Sequence, residues 1–74
     1  MKDAVARYML AMKVLTFRIG EGYGDEEDVR YLLRHLDITR RDEAEAILGA
    51  YYPIEGYPMY AIEAVRELVE MRRR

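Results

Sequence analysis

Seventy-four residues allow one domain and one modest core. The chain has no cysteine and a single histidine, His35, which excludes disulfides, thiolate metal sites and a histidine-rich metal cluster. Twelve Lys and Arg against fourteen Asp and Glu give a net charge of −2, whereas a free-standing nucleic-acid binder needs a basic excess to neutralise phosphates. A lone core at this size supplies only about 3–5 kcal/mol, so the remaining stabiliser is tight helix packing or association with another chain. The longest strongly apolar stretch, 8–14, already contains Lys13 and falls far short of the roughly 20 residues that span a bilayer. Asp3 and Arg7 interrupt any secretory signal, so the expected location is the cytoplasm, with no membrane partner. Ten of the twelve basic residues are Arg, and Ser, Asn, Gln, Cys and Trp are absent. That bias fits a thermophile and fits a GC-rich genome equally well.

The first predicted helix covers 3–18. Its apolar residues at Val5, Met9, Met12 and Phe17 are joined by Ala4, Tyr8, Leu10, Val14 and Leu15, so they surround most of the circumference. A helix apolar nearly all round is buried on more than one side. Either this helix is central, or one of its faces awaits a partner. The face singled out for an interface is Val5, Tyr8, Met9, Met12 and Phe17. Gly20, Gly22 and Gly24 then break the chain around Tyr23. They lack the spacing and the Lys-Ser/Thr of a phosphate-binding loop.

A second helix is predicted over 25–36, where Val29, Leu32, Leu33 and Leu36 form one stripe at i, i+3, i+4 and i+7. Four acids, Asp25 to Asp28, open it against the positive end of the dipole. A third is predicted over 39–51, with Thr39 as N-cap and Asp42 and Glu43 completing an approximate capping box. Ala44, Ile47, Leu48 and Tyr51 give its stripe, and Pro53 ends it by disfavouring helix at Tyr52. Two prolines stiffen the linker that follows, and Pro58 suits the first turn of a fourth helix over 58–72. Met59, Ile62, Val65, Leu68 and Val69 fall on one side of that helix, and Arg72 to Arg74 suit its negative end. No segment alternates like a strand. The expected class is all-α, a single small four-helix domain over 1–74.

Few residues could carry chemistry. Lys13 is the one strong charge between Arg7 and Arg18. It is either a lysine whose stem covers apolar surface or a cation held for a phosphate or carboxylate. Asp25 and Asp28 share a helix face. They are either dipole and cap residues, or metal ligands or partners of Lys13, although Mg²⁺ seldom lives on a single helix turn. His35 lies beside the apolar stripe as a surface histidine rather than a catalytic one. Tyr51, Tyr52, Tyr57 and Tyr60 either pack the linker over the helices or form an aromatic platform. Arg34, Arg40 and Arg41 flank a short turn, as in a helix-turn-helix, yet Asp42, Glu43 and Glu45 would repel DNA phosphates.

The order of these features carries a resemblance. The run Tyr8-Met-Leu-Ala-Met-Lys13, a glycine-rich loop, Asp25-Glu-Glu-Asp28-Val-Arg-Tyr-Leu-Leu and then Tyr51-Tyr52-Pro53 resembles the C-terminal half of bacterial nucleotidyltransferase-like proteins of the abortive-infection, toxin–antitoxin type. The likeness covers roughly residues 6–65 through short helical motifs. It implies that Lys13, Asp25 and Asp28 are nucleotide-binding and face a site contributed by an N-terminal half. Gly24 departs from the pattern, standing where the family usually has a basic residue. Absent too is any Gly-Ser-rich turn followed by paired metal-binding aspartates on a strand, which metal-assisted nucleotidyl transfer requires.

The expectation is therefore a helical interaction module without a complete active site, metal or cofactor, packing on a partner chain or on itself. A small nucleotide or phosphate binder using Lys13 with Arg18 or Arg30 is the second reading. A DNA-binding helical module is the third.

Overall fold

The computed structural model describes residues 2–18 and 24–73. It contains four helices, α1 (Lys2–Leu15), α2 (Asp25–His35), α3 (Arg41–Tyr51) and α4 (Met59–Arg73), with one turn of 3-10 helix at Ile54–Gly56. No strand occurs among the described residues, so the all-α class is as expected. Of the glycine run, Gly20 and Gly22 lie outside the described residues, and Gly24 precedes α2 as its N-cap.

Each helix end has a local cause. α1 stops three residues before the expected boundary. The Thr16 hydroxyl and N–H both turn back to the Met12 carbonyl, at 2.9 and 3.1 Å, and the Phe17 N–H donates to Val14 at 3.2 Å. Such back-bonding by a threonine hydroxyl competes with the helix ladder. The chain then leaves the helical path and carries the Phe17 ring into the core.

α2 closes in a Schellman turn for which the pattern of apolar residues gives no sign. The Ile38 N–H donates to the Leu33 carbonyl (2.9 Å) and the Asp37 N–H to that of Arg34 (3.0 Å). Asp37 takes the left-handed conformation, φ 54°, where glycine is usual. Leu33 and Ile38, the apolar pair that normally accompanies this turn, are both fully buried.

The expected cap of α3 is corrected. The helix starts at Arg41 with Arg40 at the N-cap and no side-chain cap bond. Thr39 sits one residue too early, yet half of the capping box survives: the Glu43 carboxylate accepts the Thr39 N–H at 3.4 Å. Pro53 ends α3 as expected, with Tyr52 extended at φ −159°, ψ 142°. Pro58 lies one residue ahead of α4, and its carbonyl accepts the Ala61 and Ile62 N–H groups.

α1 is the central helix and packs against α2, α3 and α4. Its core face is Ala6, Leu10 and Val14, with Ala11 beside them. They meet Val29 and Leu33 of α2, Leu48 of α3, and Val65 and Val69 of α4, all essentially inaccessible to water. Each such side chain contributes roughly 1.5–3 kcal/mol by leaving water. The stripes expected on α2 and α4 are buried, except that Leu36 is half-buried at the end of α2 and Met59 is 77 % exposed at the start of α4. Tyr51 likewise falls outside the core and lies over α1.

Candidate functional site

Lys13 in the last turn of α1 and Asp25 and Asp28 in the first turn of α2 come together at one end of the helix pair. The Lys13 Nζ is 2.8 Å from an Asp28 oxygen and 3.8 Å from Asp25. Asp25 is the one buried charged side chain among the described residues. Its Oδ2 accepts the Arg18 backbone N–H at 2.9 Å and the Arg18 Nε at 3.4 Å. Asp25 is therefore not the cap of α2, a role that falls to Gly24. It is the first helical residue, and its carboxylate reaches back to tie down the chain leaving α1 at Arg18.

These contacts set the electrostatics. The hydrogen bond from Lys13 to Asp28, reinforced by the charges of Asp28 and then Asp25, holds the ammonium above its ordinary value of 10.5. Two cations, Lys13 and Arg18, face two carboxylates, so the cluster is neutral within itself. A free phosphate would have to displace Asp28 from Lys13. Arg30, the other cation considered for such a ligand, turns away and pairs with Glu26 at 3.0 Å. Among the described residues, no group of three His, Cys, Asp or Glu side chains is placed to hold a metal ion. Chemically, the cluster clamps α1 to α2.

Beside the clamp runs an open groove between α1 and α2, lined by Val5, Ala6 and Met9 on one side and by Tyr31, Leu32 and His35 on the other. Its rim is apolar and wet: Val5 is 62 % exposed, Tyr31 57 % and Met9 46 %. Of the face singled out on the first helix, Val5, Tyr8 and Met9 are exposed and Met12 is half-buried. Phe17 is corrected: at 3 % exposure it belongs to the core, because α1 has ended before it. Tyr31 was missed, since its helix carries a complete buried stripe without it.

His35 is exposed and stacks on Tyr31, with centroids 6.0 Å apart and planes at 17°. The linker tyrosines pack the structure together. The Tyr57 hydroxyl donates to the Leu48 carbonyl at 2.7 Å, and burial raises this phenol above its ordinary 10.0. Tyr60 reaches the Phe17 carbonyl at 3.0 Å, and Tyr51 meets Tyr8 edge-on. Tyr52 lies edge-on to Tyr57 and over Gly56, where a Cβ would collide with its ring.

Of the arginines flanking the turn between α2 and α3, Arg40 is engaged, while Arg34 and Arg41 are exposed and make no ion pair among the described residues. Arg40 holds Asp42 at 2.7 Å, Arg66 holds Glu45 at 2.8 Å, and Arg72 spans Asp37 and the Ile38 carbonyl. Acids interleave them, so this surface lacks the unopposed positive field that nucleic acid requires. Among the described residues, no helix is long and apolar enough to cross a membrane. No protein-family model matches the chain, and no curated protein or solved structure is similar to it.

Proposed function

We propose that this chain is a helical protein–protein interaction module that docks its α1–α2 face on a second chain and does no chemistry by itself. The observation that carries the reading is the exposed apolar rim of Val5, Met9 and Tyr31 along the groove between two helices whose inward stripes already fill the core. Exposed large apolar groups in one continuous groove mark a contact surface more often than they mark chance. The resemblance to the helical half of nucleotidyltransferase-like antitoxins gives this module a context. In that context Lys13, Asp25 and Asp28 form a rigid corner presented to a nucleotide site on a strand-bearing half, located elsewhere.

Their mutual pairing favours the interaction reading over free nucleotide binding, because no cation in the cluster is left to meet a phosphate. Size-exclusion chromatography with light scattering, run on the pure protein and on its mixture with a neighbouring strand-rich gene product, tests the proposal. A Val5→Asp variant should lose whichever complex forms. A protein that stays monomeric and binds neither itself nor that partner sinks the reading. Calorimetric titration with ATP, GTP and CTP in the presence of Mg²⁺ should give no heat below the millimolar range.

A further inference from the structure

We infer that the α1–α2 face is self-complementary and that its occupant is a second copy of this chain, with the two α2 helices crossing antiparallel at Tyr31. This deepens the interaction reading above and rests on it. The outward side of α2 has an order that the helix itself does not require. Tyr31 stands exposed at its middle. Glu27 and Asp28 lie four and three residues before Tyr31, and Arg34 and His35 lie three and four after it. Spacings of three and four share one helix face.

A two-fold axis through Tyr31 therefore sets the acidic half of one α2 against the basic half of the other. A parallel arrangement would stack acid on acid. An isologous interface needs this property, one patch complementary to itself under rotation. The helix dipole alone accounts for acids at the start and a base at the end. It does not account for a large exposed aromatic between them, nor for the apolar rim of Val5 and Met9 alongside.

The charges are also available. Glu27 and Arg34 are exposed, and neither side chain makes an ion pair or hydrogen bond among the described residues. By contrast Arg30, one turn round the same helix, is already held by Glu26. A face two helices wide, with α2 contributing about 16 Å of length at 1.5 Å per residue, lies at the small end of specific interfaces. The association expected is a dimer of micromolar affinity whose strength falls with salt.

Sedimentation equilibrium of the whole chain, from micromolar to millimolar concentration, is the test. Glu27→Arg alone and Arg34→Glu alone each place like charges across the axis and should weaken dimerisation by about tenfold or more. The double variant Glu27→Arg/Arg34→Glu restores opposite charges and should recover most of the affinity. Circular dichroism should show that all three variants keep their helices, since both positions are exposed. A wild-type chain that remains monomeric to millimolar concentration overturns the inference and leaves the face for a different partner. A dimer lost with Val5→Asp but indifferent to all three charge variants also overturns it, while sparing the interaction reading. A dimer indifferent to Val5→Asp as well removes both.

Discussion

Asp25 shows how one side chain can decide the geometry of a helix pair. Its carboxylate is nearly out of water and accepts the Arg18 backbone N–H, so removing it strips a charge-assisted bond from the loop as well as an ion pair from Lys13. Asp25→Ala should cost about 1.5–3 kcal/mol, the range for hydrogen bonds to charged groups. Asp28→Ala should cost under about 1 kcal/mol, because the Lys13–Asp28 pair is half in solvent. Urea denaturation at neutral pH measures both, and a larger loss at Asp28 would contradict the assignment of Asp25 as the anchor. That Lys13 meets these acids is one of the alternatives the sequence offers, beside capping and metal ligation, because the lone lysine of an apolar helix and an acidic first turn flank one short segment. The anchor role was not, because its partner is a backbone N–H and leaves no mark in a residue pattern. Asp37 offers the opposite case, a residue whose backbone is strained where it stands. In its left-handed conformation glycine carries no Cβ penalty. Asp37→Gly should stabilise by about 0.5–1 kcal/mol after the loss of an exposed pair with Arg72. Arg72 retains its bond to the Ile38 carbonyl. A fall in the urea midpoint would mean that the pair outweighs the strain.

At the scale of elements, stripes of apolar residues were the reliable guide and helix ends were not. The 29/32/33 face of α2 and the 62/65/68/69 face of α4 are buried because a period of 3.6 leaves one stripe and one place for it. Ends were less legible: the Thr16 hydroxyl bonds back to Met12 where α1 closes early, and α3 starts past Thr39 with no side-chain cap of its own. On α1 an all-round apolar pattern does not say which face is inward, so it places Phe17 with the interface candidates although the ring lies in the core. α3 is the weakest helix by these criteria. It lacks a side-chain cap and carries Gly49 in its last turn. A Cβ built at Gly49 would meet only Ile54 side-chain carbons, at 3.7 and 3.9 Å, which is ordinary contact. Gly49→Ala should therefore raise stability by about 0.5–1 kcal/mol through helix propensity and a less disordered unfolded chain. Thermal melting of the variant beside wild type checks it, and an unchanged or lower midpoint would show that the last turn is tighter than its contacts imply.

At the scale of the whole molecule, two groups far apart in sequence give the fold a common alkaline limit. Lys13 fastens α1 to α2, and its hydrogen bond with Asp28 holds its pKa above 10.5. Tyr57 fastens the proline linker to α3 through the Leu48 carbonyl, and burial holds its phenol above 10.0. Both folded-state values are raised, so both contributions are fully present below the unfolded values and are lost as pH rises through the folded ones. In the lysine the folded state favours the charged form, and in the tyrosine it favours the neutral form. Each is the protonated form, so the two act in the same direction. The acidic side has a smaller counterpart: Arg40 holds Asp42 below its ordinary 3.8, a contribution present above that value and lost as pH falls through the lowered one. The urea midpoint should accordingly change little from these groups between pH 5 and about pH 9.5, then fall as pH rises through the two raised values. Tyr57→Phe should lower stability at neutral pH by about 0.5–1.5 kcal/mol, the worth of one hydrogen bond, and should flatten part of the alkaline fall. The Leu48 carbonyl keeps the Tyr52 N–H at 3.2 Å, so the change does not orphan a buried acceptor. If Tyr57→Phe and wild type fall in parallel above pH 10, the alkaline limit belongs to Lys13 and the clamp alone. If wild type shows no fall by pH 11.5, neither contact holds the two halves of the bundle together in the way described.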